Sequence, residues 1–233
     1  MAFALIVWRL RAASPAGAAF GGMICLLLTY WTGSSPWSVL RTALIPLIAL
    51  FVFTFLSTRA GRQKKSQAGL AEPREGRTAS QVIANLSAAA LCIAPTTIPL
   101  GPFPIKIMIL AALAEATADT VSSEIGQAFG GTPFLFPTLQ PVPPGTDGAV
   151  TPLGTLAGVA AATLVALTGA WAMHLDASAV AITATAATCG LFFDTLLGAT
   201  LERKGWLGND LVNFTSTAFA AILAAAAYRL YAL

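Results

Sequence analysis

Residues 152–173 read PLGTLAGVAAATLVALTGAWAM, with no charged side chain among them. A bilayer crossing takes about 20 predominantly apolar residues in one helix, so this stretch specifies a membrane span. Thr151 is positioned to cap the helix, and Pro152 suits its first position, where no backbone N–H is needed. Working outward, apolar runs of similar character occupy 177–198 and 212–232 downstream, and 16–32, 38–58, 79–99 and 103–120 upstream. Residues 2–8 (AFALIVW) are apolar but too short to cross, and form either a truncated helix or an interfacial segment. The expected fold is an all-α polytopic transmembrane bundle of about seven spans, a single transmembrane domain over 1–233.

Composition agrees. The chain is 56% hydrophobic, with a mean hydropathy of +0.75. Only 10% of it is charged, against about 25% in an ordinary soluble domain. A water-facing surface cannot be built from so few charges. A net charge of +3, scattered along the chain, excludes nucleic acid as a partner. Cys25, Cys92 and Cys189 stand alone in apolar runs and read as small buried hydrophobes. A lone histidine, His174, leaves no multi-histidine zinc site.

Basic residues set the orientation, because they concentrate on the cytoplasmic side of a membrane. The segment 59–77 carries Arg59, Arg62, Lys64, Lys65, Arg74 and Arg77. With that segment inside, parity makes the amino terminus cytoplasmic and gives cytoplasmic loops near 59–78, 121–151 and 199–211. Ten of the 13 basic residues then lie inside. The densest polar clusters border the same face, along with Glu115, Asp119, Glu124, Asp147, Asp194, Glu202 and Asp210. A purely structural bundle has no need of so many carboxylates on one face.

Four stretches carry these groups. In GRTASQVIAN (76–85), Arg77, Gln81 and Asn85 follow at i, i+4 and i+8 and share a helix face. That stripe suits phosphate or substrate oxygens, and also suits snorkelling with interhelical hydrogen bonds. In AALAEATADTVSSEIG (111–126), Glu115 and Asp119 stack one turn apart, with Ser122, Ser123 and Glu124 beyond. Two ionised carboxylates at that spacing inside an apolar helix call for a cation, and Mg²⁺ with a bound polyphosphate or a transported proton would serve. The loop leading to Thr151 contains Gly145, Thr146, Asp147 and Gly148, a turn whose N–H groups could form an anion nest; a plain capped loop is the competing reading. In DTLLGATLERKGWLGNDLVN (194–213), Asp194 and Gly198 end one span, while Asn209, Asp210 and Asn213 open the next. Arg203 or Lys204 could meet phosphate or snorkel to headgroups. Trp8, Trp31, Trp37 and Trp206 read as interfacial anchors. Pro95, Pro99, Pro102 and Pro104 interrupt the path between two spans and could shape a cavity holding Lys106. Little chemistry is expected around Trp171, His174 and Asp176.

Taken together, GRTASQVIAN (76–85), AEATADTVSSEIG (114–126), PPGTDGAVTPLGTLAG (143–158), DTLLGATLERKG (194–205) and NDLVNF (209–214) resemble the TMEM19/DUF92 integral membrane family. The likeness covers essentially the whole chain; it departs at Leu86–Ser87, where relatives commonly carry two glycines. The family's plant members include a phytyl-phosphate kinase. The resemblance therefore implies an isoprenoid monophosphate kinase that makes the diphosphate, with CTP or another nucleotide as donor. It marks Asp119, Glu124, Asp147, Asp194, Glu202, Asn209, Asp210 and Asn213 as motif residues.

The expectation for the site combines both readings. Asp119, Asp194, Lys204 and Arg77 are the catalytic candidates. Gln81, Asn85, Ser123, Gly145, Thr146, Asp147, Gly148, Asn209 and Asn213 are the candidates for substrate or nucleotide. Glu115, Asp119, Glu124, Asp194, Glu202 and Asp210 are the candidates for Mg²⁺. Membrane lipids are the other partners, and the expected location is a prokaryotic plasma membrane with the site facing the cytoplasm. A transporter or flippase of a lipid phosphate is the alternative. A CDP-alcohol phosphotransferase is disfavoured because no continuation of its aspartate signature follows Asp147–Gly148, and a noncatalytic scaffold is the remaining class.

Overall fold

The computed structural model describes residues 2–33, 38–94 and 104–231. Its elements in chain order are α1 (Ala2–Arg9), α2 (Pro15–Thr32), α3 (Leu44–Arg59), α4 (Arg62–Gln67), α5 (Ala79–Leu91) and α6 (Ile105–Phe129). The strands β1 (Phe134–Leu135), β2 (Gln140–Pro141) and β3 (Ala149–Val150) follow, then α7 (Pro152–Met173), α8 (Ala177–Leu197) and α9 (Asn209–Tyr231). Trp37 and the prolines 95, 99 and 102 lie outside the described residues.

By length and composition, α2, α7, α8 with its continuation to Glu202, and α9 can each cross a membrane. Helices α3 and α5 are apolar but shorter. The predicted span 38–58 is shortened because its first residues form a 3-10 turn at Val39–Arg41. The Thr32 hydroxyl accepts the Ala43 N–H there (2.8 Å), and Thr42 closes onto Val39 O (2.6 Å). Helix α5 begins with a capping box, in which Thr78 and Gln81 each bond the other's backbone N–H. Its short length is set at Leu91, where a turn replaces the helix.

Helix α6 is the centre of the bundle and packs on α3, α5, α7, α8 and α9. Every residue from Ile107 to Ala118 is buried. A helix covered by protein along its middle need not be apolar enough for lipid, which is how Glu115, Asp119 and Glu124 coexist on it; Lys106, at its start, is exposed. Alanine-rich faces let its neighbours come close. Against α7 the approach depends on Gly154 and Gly158: a Cβ there would stand 2.5 Å from Ser122 O and 2.6 Å from Ala118 O. Two buried hydroxyls of α6 are satisfied within their own helix: Thr117 donates to Leu113 O (2.8 Å) and Thr120 to Ala116 O (3.0 Å).

The proline- and glycine-rich segment before α7 is more ordered than a loop reading implies. It folds into a small antiparallel sheet in the order β2-β1-β3, with Phe134 opposite both Pro141 and Val150. Two-residue strands leave no periodicity to detect in a sequence. Thr151 Oγ1 then accepts the Gly154 N–H (3.1 Å), so the predicted cap with Pro152 at the first helical position starts α7.

Candidate functional site

One end of the bundle encloses a polar cavity of about 440 Å³. The start of α5, the last turns of α6, the end of α8 and the start of α9 form its walls, and the segments 69–73 and 144–151 close it. Three helices, α5, α7 and α9, turn their amino termini toward it. The partial positive charge of those termini favours an anion.

From α5 and the residue pair before it, Arg77, Gln81 and Asn85 line the cavity on the stripe expected from their spacing. Arg77 is fixed by its backbone, which pairs with the α1–α2 link through Ser14 N–H to Arg77 O (2.9 Å) and Arg77 N–H to Ala12 O (3.1 Å). Its guanidinium donates to Thr120 Oγ1 (3.1 Å) and lies near Asp119. The amide oxygen of Gln81 is committed to the capping box, and Asn85 donates to Gln81 O (2.8 Å).

Helix α6 contributes Asp119, Ser123 and Glu124. Among the described residues Asp119 has no hydrogen-bond or ion-pair partner. Glu124 is engaged by Lys65 in an ion pair, and Lys65 Nζ also donates to Ser57 O (3.2 Å) and Thr58 O (2.9 Å). Lys65 is buried, unlike its neighbour Lys64. Glu115, one turn deeper, is fully buried outside the cavity lining, and neither of its oxygens has a hydrogen-bond partner among the described residues. It packs on Gly190, while the nearby Ser216 hydroxyl is shared between Asp194 Oδ2 (3.1 Å) and Asn213 O (3.0 Å).

Asp194 and Glu202 line the cavity from α8 and its π-helical continuation, Gly198–Glu202, and Asn209 and Asn213 line it from α9. π turns recur at functional sites. This one meets the 145–148 turn: a Cβ on Gly148 would stand 2.2 Å from Ala199 N, and one on Gly198 would stand 2.8 Å from Gly148 N. Gly148 also has a positive φ of 72°. The turn thus lies directly on the end of α8, bringing Gly145, Thr146 and Asp147 into the lining. Lys204 and Asp210 do not line the cavity; Lys204 is exposed, with Nζ 5.2 Å from the centre of the Trp206 ring.

Two participants have no sequence signal. Lys65 sits in RQKKSQ, where nothing separates it from Lys64. Glu72 belongs to the loop expected near 59–78, where no motif marks it, yet it lines the cavity and its Oε2 is buried without a partner among the described residues. No three His, Cys, Asp or Glu side chains among the described residues converge on a point that could cage a metal ion. Mg²⁺ does not require that. It keeps several waters and binds through one or two carboxylates plus phosphate oxygens, a donor set that Asp119 and Asp194 fit.

The chain matches the family of integral membrane proteins described as DUF92 over residues 1–221. It is 36% identical over 213 residues to an uncharacterized membrane protein of Synechocystis sp., covering 85% of this chain and 81% of the relative. An uncharacterized membrane protein of Methanocaldococcus jannaschii is 32% identical over 238 residues, 97% of this chain and 90% of the relative. Protein VTE6, chloroplastic, of Arabidopsis thaliana is 30% identical over 201 residues, 82% of this chain and 60% of its own length. No solved structure matches.

Proposed function

The chain belongs to the DUF92 family of integral membrane proteins, and on that footing we propose that it is a membrane-embedded lipid-phosphate kinase. It would move a phosphoryl group from a nucleoside triphosphate, CTP first, to an isoprenoid monophosphate and so make the diphosphate. The observation that carries this reading is the polar cavity at one end of membrane helices, which gathers residues from all five motifs beside Arg77. The proposed membrane is a prokaryotic plasma membrane, with the cavity on the cytoplasmic side where nucleotides are available.

The chemistry asks little covalent work of the protein. A phosphate oxygen of the acceptor forms a bond to the γ-phosphorus of the donor, the bond to the β-phosphate's bridging oxygen breaks, and the nucleoside diphosphate leaves. The acceptor oxygen is already ionised at neutral pH, so no general base is needed. Arg77 is positioned by its backbone pairing to offset charge on the transferred group. The amino termini of α7 and α9 favour the donor phosphates, and the Gly145–Gly148 turn closes over them. Asp119 and Asp194 are the residues that would hold Mg²⁺, which when bound neutralises donor phosphate charge.

The test is turnover by purified protein in detergent with Mg²⁺, CTP or ATP, and isoprenyl monophosphates of C10 to C20, read as diphosphate by mass spectrometry. Product that disappears in Asp119→Asn supports the reading. Absence of product with every pair, from folded protein, overturns it in favour of lipid-phosphate transport.

A further inference from the structure

We propose that the apolar groove between α1, α2, α3 and α5 holds the first isoprene unit of a single-chain lipid whose phosphate sits at Arg77; this deepens the lipid-phosphate reading above and rests on it. The groove has a volume of about 120 Å³ and is walled by Phe3, Val7, Cys25, Leu50, Phe51 and Leu86. The rings of Phe3 and Phe51 meet edge to face at 5.3 Å, so the short α1 helix is a wall of the groove.

Two observations identify the occupant. The first is continuity: Glu72, Pro73, Arg77 and Asn85 line both the groove and the polar cavity. A lipid monophosphate joins a dianionic head to hydrocarbon through one oxygen, so its site must change from polar to apolar within a few ångströms. This shared wall makes that change. The second is charge. Arg11, Arg59 and Arg62 border the groove beside Arg77, against one lining carboxylate, that of Glu72. Arg59 and Arg62 each donate to a backbone carbonyl, Leu10 O (2.6 Å) and Glu72 O (3.2 Å), which fixes them at the mouth.

The volume limits what is read. A cavity of about 150 Å³ accepts benzene, so a groove of this size takes one five-carbon unit of one chain. It does not take the paired chains of a bilayer phospholipid. The rest of the tail runs along the lipid-facing side of α2 and α3, where Met23, Leu26, Val52 and Leu56 are exposed. The site therefore selects the head and the first carbons, and tolerates length beyond them.

The experiment uses the full chain in lipid nanodiscs and geranyl monophosphate carrying a photoreactive diazirine on its first isoprene unit, with labelled peptides mapped by mass spectrometry. Labelling is expected within 3–25 and 47–59, and an excess of unlabelled geranyl monophosphate should suppress it. Geraniol, which lacks the phosphate, should not. Thr54→Phe fills the groove, and the lost hydroxyl bonded only its own helix. Val7→Trp fills its half-exposed mouth and covers the case in which Thr54→Phe fails to fold. Each should lower labelling at least fivefold. Label confined to the outer faces of α7 and α8, or unchanged by either folded variant, overturns the groove. The two readings separate: groove labelling without diphosphate formation sinks the kinase reading and leaves the groove, while wild-type turnover by a groove-filled variant does the reverse.

Discussion

The two ends of the bundle use charge in opposite ways. At the end away from the cavity, Lys106 Nζ donates to Met173 O (3.4 Å) and Arg41 Nη1 to Trp171 O (3.2 Å), so two cations cover the carboxyl terminus of α7. Arg41 also lies 4.6 Å from the centre of the Trp171 ring. Asp176 caps α8 by accepting from Ala179 N–H (2.9 Å) and Ser178 Oγ (2.6 Å). Cations at a helix carboxyl terminus and a carboxylate at an amino terminus are what the helix dipole favours. At the cavity end the carboxylates are not spent this way. Among the described residues Asp119 has no partner, Glu115 is buried with neither oxygen bonded, and Glu124 alone is in an ion pair. Unpartnered acids inside a membrane protein are expensive and mark function. Charge at the far end finishes helices, whereas in the function proposed above charge at the cavity end is held for a ligand.

The strongest way to break that contrast is Asp119→Asn. It keeps the side chain's size and removes a charge that makes no hydrogen bond or ion pair among the described residues and has the Arg77 guanidinium as its nearby cation. Turnover should fall by roughly 10³-fold, about 4 kcal/mol of barrier, with the circular dichroism spectrum and melting profile unchanged. A folded variant that still turns over at a tenth of the wild-type rate or better would place the chemistry elsewhere.

The second prediction concerns the cavity carboxylate that is paired. Removing one partner of a buried ion pair leaves the other charge stranded, at a cost of about 3–5 kcal/mol. Lys65→Met should therefore lower stability by about 3 kcal/mol in denaturant titrations, since Lys65 ties the end of α3 to α6. Adding Glu124→Gln should restore much of the loss. If the double variant is as unstable as the single one, the pair is not the source of the effect.

What the sequence disclosed follows the same division. The apolar helices and the loaded end were legible because apolar length and the clustering of polar residues need no tertiary information; among the described residues, four helices are long and apolar enough to cross a membrane, against the seven spans expected. The stripe of Arg77, Gln81 and Asn85 was legible because it is helical spacing alone. Lys65 was not, since burial of one of two adjacent lysines depends on α6 arriving beside it. Glu72 was hidden in a linker whose composition is that of a solvated loop. Lys204 looked like a phosphate ligand from its neighbours, but α8 ends in a π turn and the side chain lies over Trp206. The sheet of β1, β2 and β3 rests on strands of two residues, below the length at which alternation can be read.

Two glycines with the same backbone conformation sharpen the contrast further. Gly148 (φ 72°) abuts Ala199, whereas a Cβ on Gly205 (φ 71°), outside the cavity lining, would meet nothing within 4 Å among the described residues. Gly205→Ala should cost only the backbone strain of a left-handed residue, about 1 kcal/mol. Gly148→Ala adds a collision with the end of α8, and should also cut turnover at least tenfold by opening the turn. Equal effects of the two substitutions on turnover would remove the turn from the site.

The smallest effect belongs to the far end and tests its purely structural role. The Ser178 hydroxyl and the Ala179 N–H hold the Asp176 carboxyl below its ordinary value. A depressed carboxyl stabilises the fold above the unfolded-state value, near 3.9 for aspartate, and that contribution is lost as pH falls through the folded-state value. Asp176→Asn keeps a capping oxygen but cannot titrate. Its melting temperature should lie slightly below the wild type's at pH 7 and approach it as the pH drops below the ordinary aspartate value, with kcat and KM for both substrates unchanged at neutral pH. A change in either constant would mean that Asp176 reaches the chemistry across the length of the bundle, and the division between the two ends would fail.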